Sequence, residues 1–248
     1  MADTRINHVV TGTITLATGN LTQAHNAPRG AMGIELYGTG ASPPTWQFTP
    51  LLRTAFHYDD SAGTYTDGTA ALSSRVAADL LTLNDLEATN DFLYFGSATP
   101  FRGIYLNIGN TNTTASTDLA ATYWDGAAWT GLTETDGTAT GGISFALDNV
   151  VTWTMPTDWA KVSVNGSTPL FFVRFNFDAT FDSTVTLLEA IPLSVQTNRP
   201  SSLASTLPLN RYWFDRTMIG GIEAVGDNAD TLVVTWLCTS AFNTVTAE

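Results

Sequence analysis

Apolar and polar positions alternate with a period of two along most of the chain. From Ile6 to Leu16, Ile6, His8, Val10, Gly12, Ile14 and Leu16 fall on one side and Asn7, Val9, Thr11, Thr13 and Thr15 on the other. That pattern predicts a long strand or hairpin with a threonine face. The same reading predicts strands at Gly33–Tyr37, Thr45–Phe48, Thr54–Tyr58, Phe92–Phe95, Gly103–Ile108, Ala120–Trp124 and Ala128–Leu132. Further on it predicts Gly142–Leu147, Val150–Met155, Leu170–Phe177, Thr184–Ile191, Tyr212–Phe214, Gly220–Val225 and Thr231–Cys238. Asp67-Gly68, Asp125-Gly126, Asp136-Gly137 and Asn165-Gly166 punctuate these runs. Asx-Gly supplies the positive φ that tight hairpin turns need. One stretch departs from the pattern: Leu72, Val76, Leu80 and Leu83 recur at helical spacing after Ser73-Ser74, which predicts a short helix.

Many short strands with regular turns predict an all-β fold, a sandwich or barrel. Three regions follow. Residues 1–53 form an N-terminal β-arm interrupted by the loop Gly38–Pro44; residues 54–178 form a compact β-sandwich; residues 179–248 add strands after the linker Asn198–Ser202. No repeat of 20–50 residues is evident, which argues against solenoids and propellers. Ile6–Leu16 would leave a strand edge open in a monomer, so the flanking regions are expected to pair with neighbouring subunits or with a shell protein.

With 248 residues and 44% apolar content the chain has material for a large core. Charged residues make up only 13%, about half the usual share, so much of the surface must be uncharged or lie against other chains. The net charge is −13, Lys161 is the only lysine, and the nine arginines are scattered singly. This balance excludes direct binding of nucleic acid, which requires clustered cations, and of an anionic membrane surface. Cys238 is alone and sits in an apolar run, so it is expected to be a buried small hydrophobe. A signal peptide and an 18-residue apolar run are both missing from the sequence, which predicts a soluble product made in a cytoplasm.

Recognisable catalytic motifs are absent: no metalloprotease helix, Walker loop, Cys-x-x-Cys pair or Gly-x-Ser-x-Gly elbow. His8, His25 and His57 lie far apart without a ligand pattern, and no metal site or cofactor is expected. The runs Asp59–Asp67 and Asp227–Asp230 lack the spacing of a calcium loop and read as turns whose Asx side chains bond their own backbone. The remaining candidates are aromatic. In Tyr123-Trp124-Asp125-Gly126-Ala127-Ala128-Trp129, Asp125-Gly126 is expected to form a two-residue hairpin turn. Strand neighbours face opposite ways, so one of Tyr123 and Trp124 points inward and the other lies on an outer face or at an interface. The outward ring could stack on a sugar or pack against another subunit.

Four segments, read together, resemble a module of tailed-bacteriophage virion proteins. They are Asp91–Gly103; the Tyr123–Trp129 hairpin; Val151-Thr-Trp-Thr-Met-Pro-Thr-Asp-Trp159; and Val164-Asn-Gly, which leads into Phe171-Phe-Val-Arg174. The match covers about residues 54–178. The resemblance implies a jelly-roll-like sandwich found in tail, baseplate and head-surface proteins, and it implies no catalytic residues. Arg174, on the strand face of Leu170 and Phe172, is expected to be paired or to lie at an interface.

These readings predict a non-enzymatic virion structural protein, a capsid decoration or cement subunit. It would bind other copies of itself and the major capsid protein. The alternative is a tail, baseplate or fibre component with a carbohydrate-binding sandwich, in which Trp124, Trp129 or Trp159, beside Tyr123, would meet a host glycan.

Overall fold

A computed structural model describes residues 6–16, 22–28, 30–39, 44–73, 79–83, 86–114, 116–181, 184–195, 199–200, 211–213, 215, 217–227 and 229–239. The protein is all-β, with strands over more than half of the described residues and antiparallel sheets packed in a sandwich-like arrangement. It divides into two compact units, residues 1–49 with 196–248, and residues 50–195.

The first unit takes strands from both flanking regions. Its early strands are β1 (Ile6–Thr15), β2 (Thr22–Asn26), β3 (Ala31–Thr39) and β4 (Thr45–Pro50). The second unit supplies β5 (Leu52–Asp59), β6 (Thr64–Asp67), helix α1 (Thr69–Leu72), β7 (Leu81–Leu83), β8 (Phe92–Ser97), β9 (Gly103–Asn110) and β10 (Leu119–Trp124). It continues with β11 (Trp129–Gly131), β12 (Glu134–Asp136), β13 (Asn149–Trp153), β14 (Lys161–Val162), β15 (Leu170–Phe177) and β16 (Val185–Pro192). The chain then returns to the first unit with β17 (Arg199–Pro200), β18 (Arg211–Trp213), β19 (Ile219–Val225) and β20 (Thr231–Thr239).

In the first unit the strand orders are β1-β20-β3-β18 and β17-β4-β19-β2. Leu232, Val234, Trp236 and Cys238 of β20 point one way at every second position and meet Ile34, Leu36, Trp46 and Ile222 in one core. Cys238 is buried there. The expected separation into an N-terminal arm, residues 1–53, and a C-terminal region, residues 179–248, therefore differs from the structure. β1 pairs with β20 over its whole length, from Ile6 opposite Thr239 to Thr15 opposite Thr231. One side of β1 is laddered by β20 within the chain, and β1 is the end strand of its sheet among the described residues, so its other side is a sheet edge. The linker reading also changes: Arg199 and Pro200 pair with Trp46 and Thr45, while Asn198, Ser201 and Ser202 lie outside the described residues.

The second unit is a sandwich of a seven-stranded sheet, β11-β10-β15-β8-β5-β6 with β14 on β15, and a five-stranded sheet, β12-β13-β9-β16-β7. Leu93 and Phe95, Ala121 and Tyr123, and Val173, Phe175 and Phe177 face inward against Ile104, Leu106, Val151, Trp153 and Leu187. Two local expectations fail here. Gly142–Leu147 is no strand: Phe145 takes a positive φ of 61° and drives its ring against Phe177 at 5.0 Å. Its N–H donates to Thr138 Oγ1, so a turn plugs the core where a ladder was expected. The helix is a single turn, Thr69–Leu72, followed by β7, where Leu81 and Leu83 are buried and Thr82 between them is exposed. Leu80 is exposed, so the spacing is that of a strand; Val76 lies outside the described residues.

Trp153 tests this core. Its ring is buried against Phe101 and Phe175, and its Nε1 has no hydrogen-bond partner. Trp153→Ala is expected to cost about 3–5 kcal/mol in urea unfolding. Trp153→Phe should cost clearly less, because it keeps a ring against Phe101 and Phe175 and leaves a smaller cavity, and neither variant gives up a hydrogen bond.

Candidate functional site

The hairpin around Asp125 sets the outward aromatics. Trp124 lies directly opposite Trp129, so the connection is the four-residue loop 125–128 and not a two-residue Asp-Gly turn. The cause is the Asp125 side chain. Its Oδ1 accepts the N–H groups of Ala127 and Ala128 at 2.8 and 2.7 Å, and Oδ2 accepts Thr130 Oγ1 at 2.8 Å. These donors, Ala128 foremost, hold its carboxyl below the usual range. Gly126 supplies the positive φ of 104°. Of the Asx-Gly pairs, Asn165-Gly166 is the one in which both residues have positive φ, at 48° and 73°, and Ser167 N–H closes that turn onto Val164 O.

The four aromatic candidates separate by face. Tyr123 points inward and its hydroxyl donates to Asp158 Oδ1 at 2.8 Å. Trp159 is also in the core, its Nε1 donating to Phe172 O at 3.2 Å, with its ring 5.0 Å from Phe101 and 6.2 Å from Tyr123. Trp124 and Trp129 lie on the outer face of the seven-stranded sheet, 5.7 Å apart and edge to face. A sugar platform including Tyr123 or Trp159 is not formed.

The outer face carries far more than this pair. In register across the strands, Tyr65, Tyr58 and Phe92 form one row, and Asp67, Phe56, Tyr94, Arg174 and Thr122 a second. The rings contact along and between rows: Tyr58 and Tyr65 at 4.7 Å, Phe56 and Tyr65 at 5.9 Å, Tyr94 and Trp129 at 5.6 Å. Phe172 is wholly buried on this same side, beneath Tyr94 and among Val164 and Leu170. It fits because Gly96 has no side chain: a Cβ there would stand 2.6 Å from the Phe172 ring. Tyr65 is the most open ring, at 36%.

Arg174 sits in the middle of this face. Its guanidinium lies 4.1 Å from the Phe92 ring centre and 4.6 Å from that of Trp129, and Nε donates to Thr122 Oγ1 at 2.9 Å. Among the described residues no carboxylate is within ion-pair distance of it. The expected ionic partner is replaced by two ring faces, which attract the cation and keep it from free solvent. Phe56, Tyr58, Tyr65, Phe92 and Tyr94 were not singled out by sequence. Their signal is the run Phe92-Leu-Tyr-Phe95, apolar on both faces, which equally describes a strand buried between two layers.

The carboxylate runs serve their own turns. Asp59 Oδ1 accepts Ala62 N–H and Ser61 Oγ, and Asp230 Oδ2 accepts Asp227 N–H. Among the described residues no three histidine, cysteine or acidic side chains gather as a metal site would require, and no helix is long and apolar enough to cross a membrane. His57 has a neighbour that its sequence context did not reveal: Nε2 is buried without a hydrogen bond, 3.8 Å from Asp91 Oδ2. Asp91 in turn accepts Asp60 N–H at 2.9 Å and Glu87 N–H at 2.8 Å, tying two loops together. Comparison with family models, curated proteins and solved structures finds no match to this chain.

Burial pushes the His57 pKa below its ordinary value of 6.5, against the opposing pull of Asp91. The unfolded chain therefore binds this proton more readily than the folded one, and stability should fall as pH drops below about 6.5. Glu134 and Asp148, whose carboxyls burial raises, act with the opposite sign in the acid range. The difference between wild type and His57→Gln isolates the histidine. The thermal midpoint of wild type is expected to decline more steeply than that of the variant between about pH 7 and 5.

Proposed function

We propose that the protein is a non-enzymatic structural component of a tailed-bacteriophage virion. In this reading it is a capsid decoration or cement subunit that stabilises the shell through contacts with the major capsid protein and with other copies of itself. It would be made in the host cytoplasm and reside on the particle.

The supporting observation is where the four resembling segments fall. Asp91–Gly103 carries β8 and Phe101, the Tyr123–Trp129 hairpin is β10 and β11, Val151–Trp153 closes β13, and the segment from Val164 makes a tight turn at Val164-Asn-Gly and enters β15 with Phe171–Arg174. They converge on Trp159: Tyr123 and Trp153 pack on its ring at 6.2 and 6.3 Å, and Phe172 accepts its N–H. Segments that act as one packing unit are what a shared module would conserve physically. The main strands also alternate between sheets in sequence, β8, β10 and β15 in one and β9, β13 and β16 in the other, in keeping with jelly-roll-like wrapping.

A second reading is a tail, baseplate or fibre component that binds host carbohydrate. It draws on Trp124 and Trp129, which stand on the outer face where a sugar ring could stack. Mixing the purified chain with shells that lack it and measuring co-sedimentation separates the two. Co-sedimentation with shells and no retention on host glycan supports decoration. Glycan retention lost in Trp124→Ala, without shell binding, supports the second reading. Turnover of a polysaccharide that one Asp or Glu substitution abolishes would overturn both.

A further inference from the structure

We infer that Asn165-Gly166 is a self-modifying site, at which the Gly166 backbone nitrogen displaces the Asn165 side-chain amide and water converts the product to aspartate or isoaspartate. The step needs only solvent. A base in the solvent removes the Gly166 N–H proton, and the nitrogen attacks Asn165 Cγ. The new N–Cγ bond closes a five-membered succinimide, while the Cγ–Nδ2 bond breaks and Nδ2 leaves as ammonia. Water then opens the ring at either carbonyl. Opening at Cγ leaves an ordinary aspartate. Opening at the backbone carbonyl carbon of residue 165 routes the main chain through Cβ and Cγ, which is isoaspartate, one methylene longer. Nothing is oxidised or reduced.

Four Asx-Gly pairs punctuate the described chain, and the fold closes three of them to this chemistry. Gly68 N–H donates to Ala55 O at 2.9 Å, and Asp67 Oδ1 accepts Thr69 N–H. Gly137 N–H donates to Val150 O at 2.9 Å, and Asp136 Oδ1 accepts both Thr138 N–H and Thr138 Oγ1. The Asp125 carboxylate is held by Ala127, Ala128 and Thr130. All three are also aspartates, and an ionised carboxylate is a poorer electrophile than an amide.

Asn165 differs on every count. It is the only asparagine followed by glycine in the sequence. Residues 165 and 166 are both exposed, and neither the Asn165 side chain nor the Gly166 N–H makes a hydrogen bond. A Cβ built on Gly166 would meet nothing within 4 Å, so the peptide has room to turn onto Cγ. What must open first is local. Ser167 N–H donates to Val164 O at 2.9 Å, Val164 N–H donates to Ser167 Oγ at 3.1 Å, and Ser163 Oγ donates to Ser167 O. Exposed turn bonds of this kind open at a small fraction of the global unfolding free energy.

The product reaches the packing beneath. Val164 is buried with Leu170 and Phe172 in the outer layer of the seven-stranded sheet. An extra methylene between Val164 and Ser167 lengthens the chain inside the ring those hydrogen bonds close, so they cannot all be kept. Isoaspartate therefore lifts Val164 from Phe172, whereas aspartate changes only the charge, adding one negative unit to the net −13. The inference stands apart from any place on a virion, because it concerns the chain's own chemistry.

Ageing the full folded chain in warm, mildly alkaline buffer and mapping its peptides by mass spectrometry tests it. Asn165 is expected to be the first asparagine to lose its amide, giving a mixture of isoaspartate and aspartate at a rate that rises with pH. Asn165→Asp supplies the charge without the methylene, at a residue type that tolerates the left-handed backbone. Aged wild type should unfold at a lower thermal midpoint than both fresh wild type and fresh Asn165→Asp. An Asn165 that keeps its amide while other asparagines lose theirs overturns the inference. So does conversion to aspartate without isoaspartate, which would bypass the succinimide. An isoaspartate-containing chain with the midpoint of fresh protein would overturn the link to Val164 and Phe172.

Discussion

The middle strands of the seven-stranded sheet are apolar on both sides, and that constraint shapes the second unit. β8 and β15 send Leu93, Phe95, Val173, Phe175 and Phe177 into the sandwich core. The same strands send Phe92, Tyr94, Leu170 and Phe172 to the other side, where no second sheet of this unit lies. Apolar area left in water is unfavourable, so the outer residues must cover one another. They do so with rings set edge to face, with the Val164 turn folded onto Phe172, and with a guanidinium laid over two of the rings. Gly96 is the opening that lets the wholly buried Phe172 ring lie close against β8.

The same double-sidedness explains what the sequence made legible. Period-two alternation revealed most strands and the all-β class, since it depends only on facing. It could not assign Phe92-Leu-Tyr-Phe95 to layers, because an apolar run reads alike whether its outer side is covered by a sheet or by its own rings. The split of Tyr123 from Trp124 was legible from facing alone; which of them turned inward was not, because that depends on the register with β15. Turn chemistry misled where a side chain acts at a distance: the Asp125 carboxylate draws in three donors and opens a longer loop than Asp-Gly implies. Phe145 and the Leu81–Leu83 strand failed for a related reason, tertiary packing overriding a local period. The pairing of β1 with β20 had no local signal at all.

The quoted motifs are built mostly of core residues. Trp153, Trp159, Tyr123 and Phe172 are buried and touch in one cluster or bond across it. Motifs of this kind report how a chain packs, and carry less about what it meets. Asp67, Tyr65 and Tyr58, at one side of the outer face, lie outside these motifs. Trp124 and Arg174 are motif residues whose side chains face outward.

The first unit is closed by strands from opposite ends of the described chain, with Ile6 opposite Thr239. During synthesis β1 is made well before β20 and must wait, with the row of backbone donors and acceptors that β20 will meet unpaired, until β20 follows. Residues 50–195 are complete long before that and are free to fold as a unit in the interval. Closure of so long a loop is entropically slow, so the late step is joining the two ends and not building the sandwich. During that interval the waiting β1 edge can be captured by another nascent chain. The step that completes the first unit is thus the pairing of β20 with β1 and β3, a step separate from formation of the larger core.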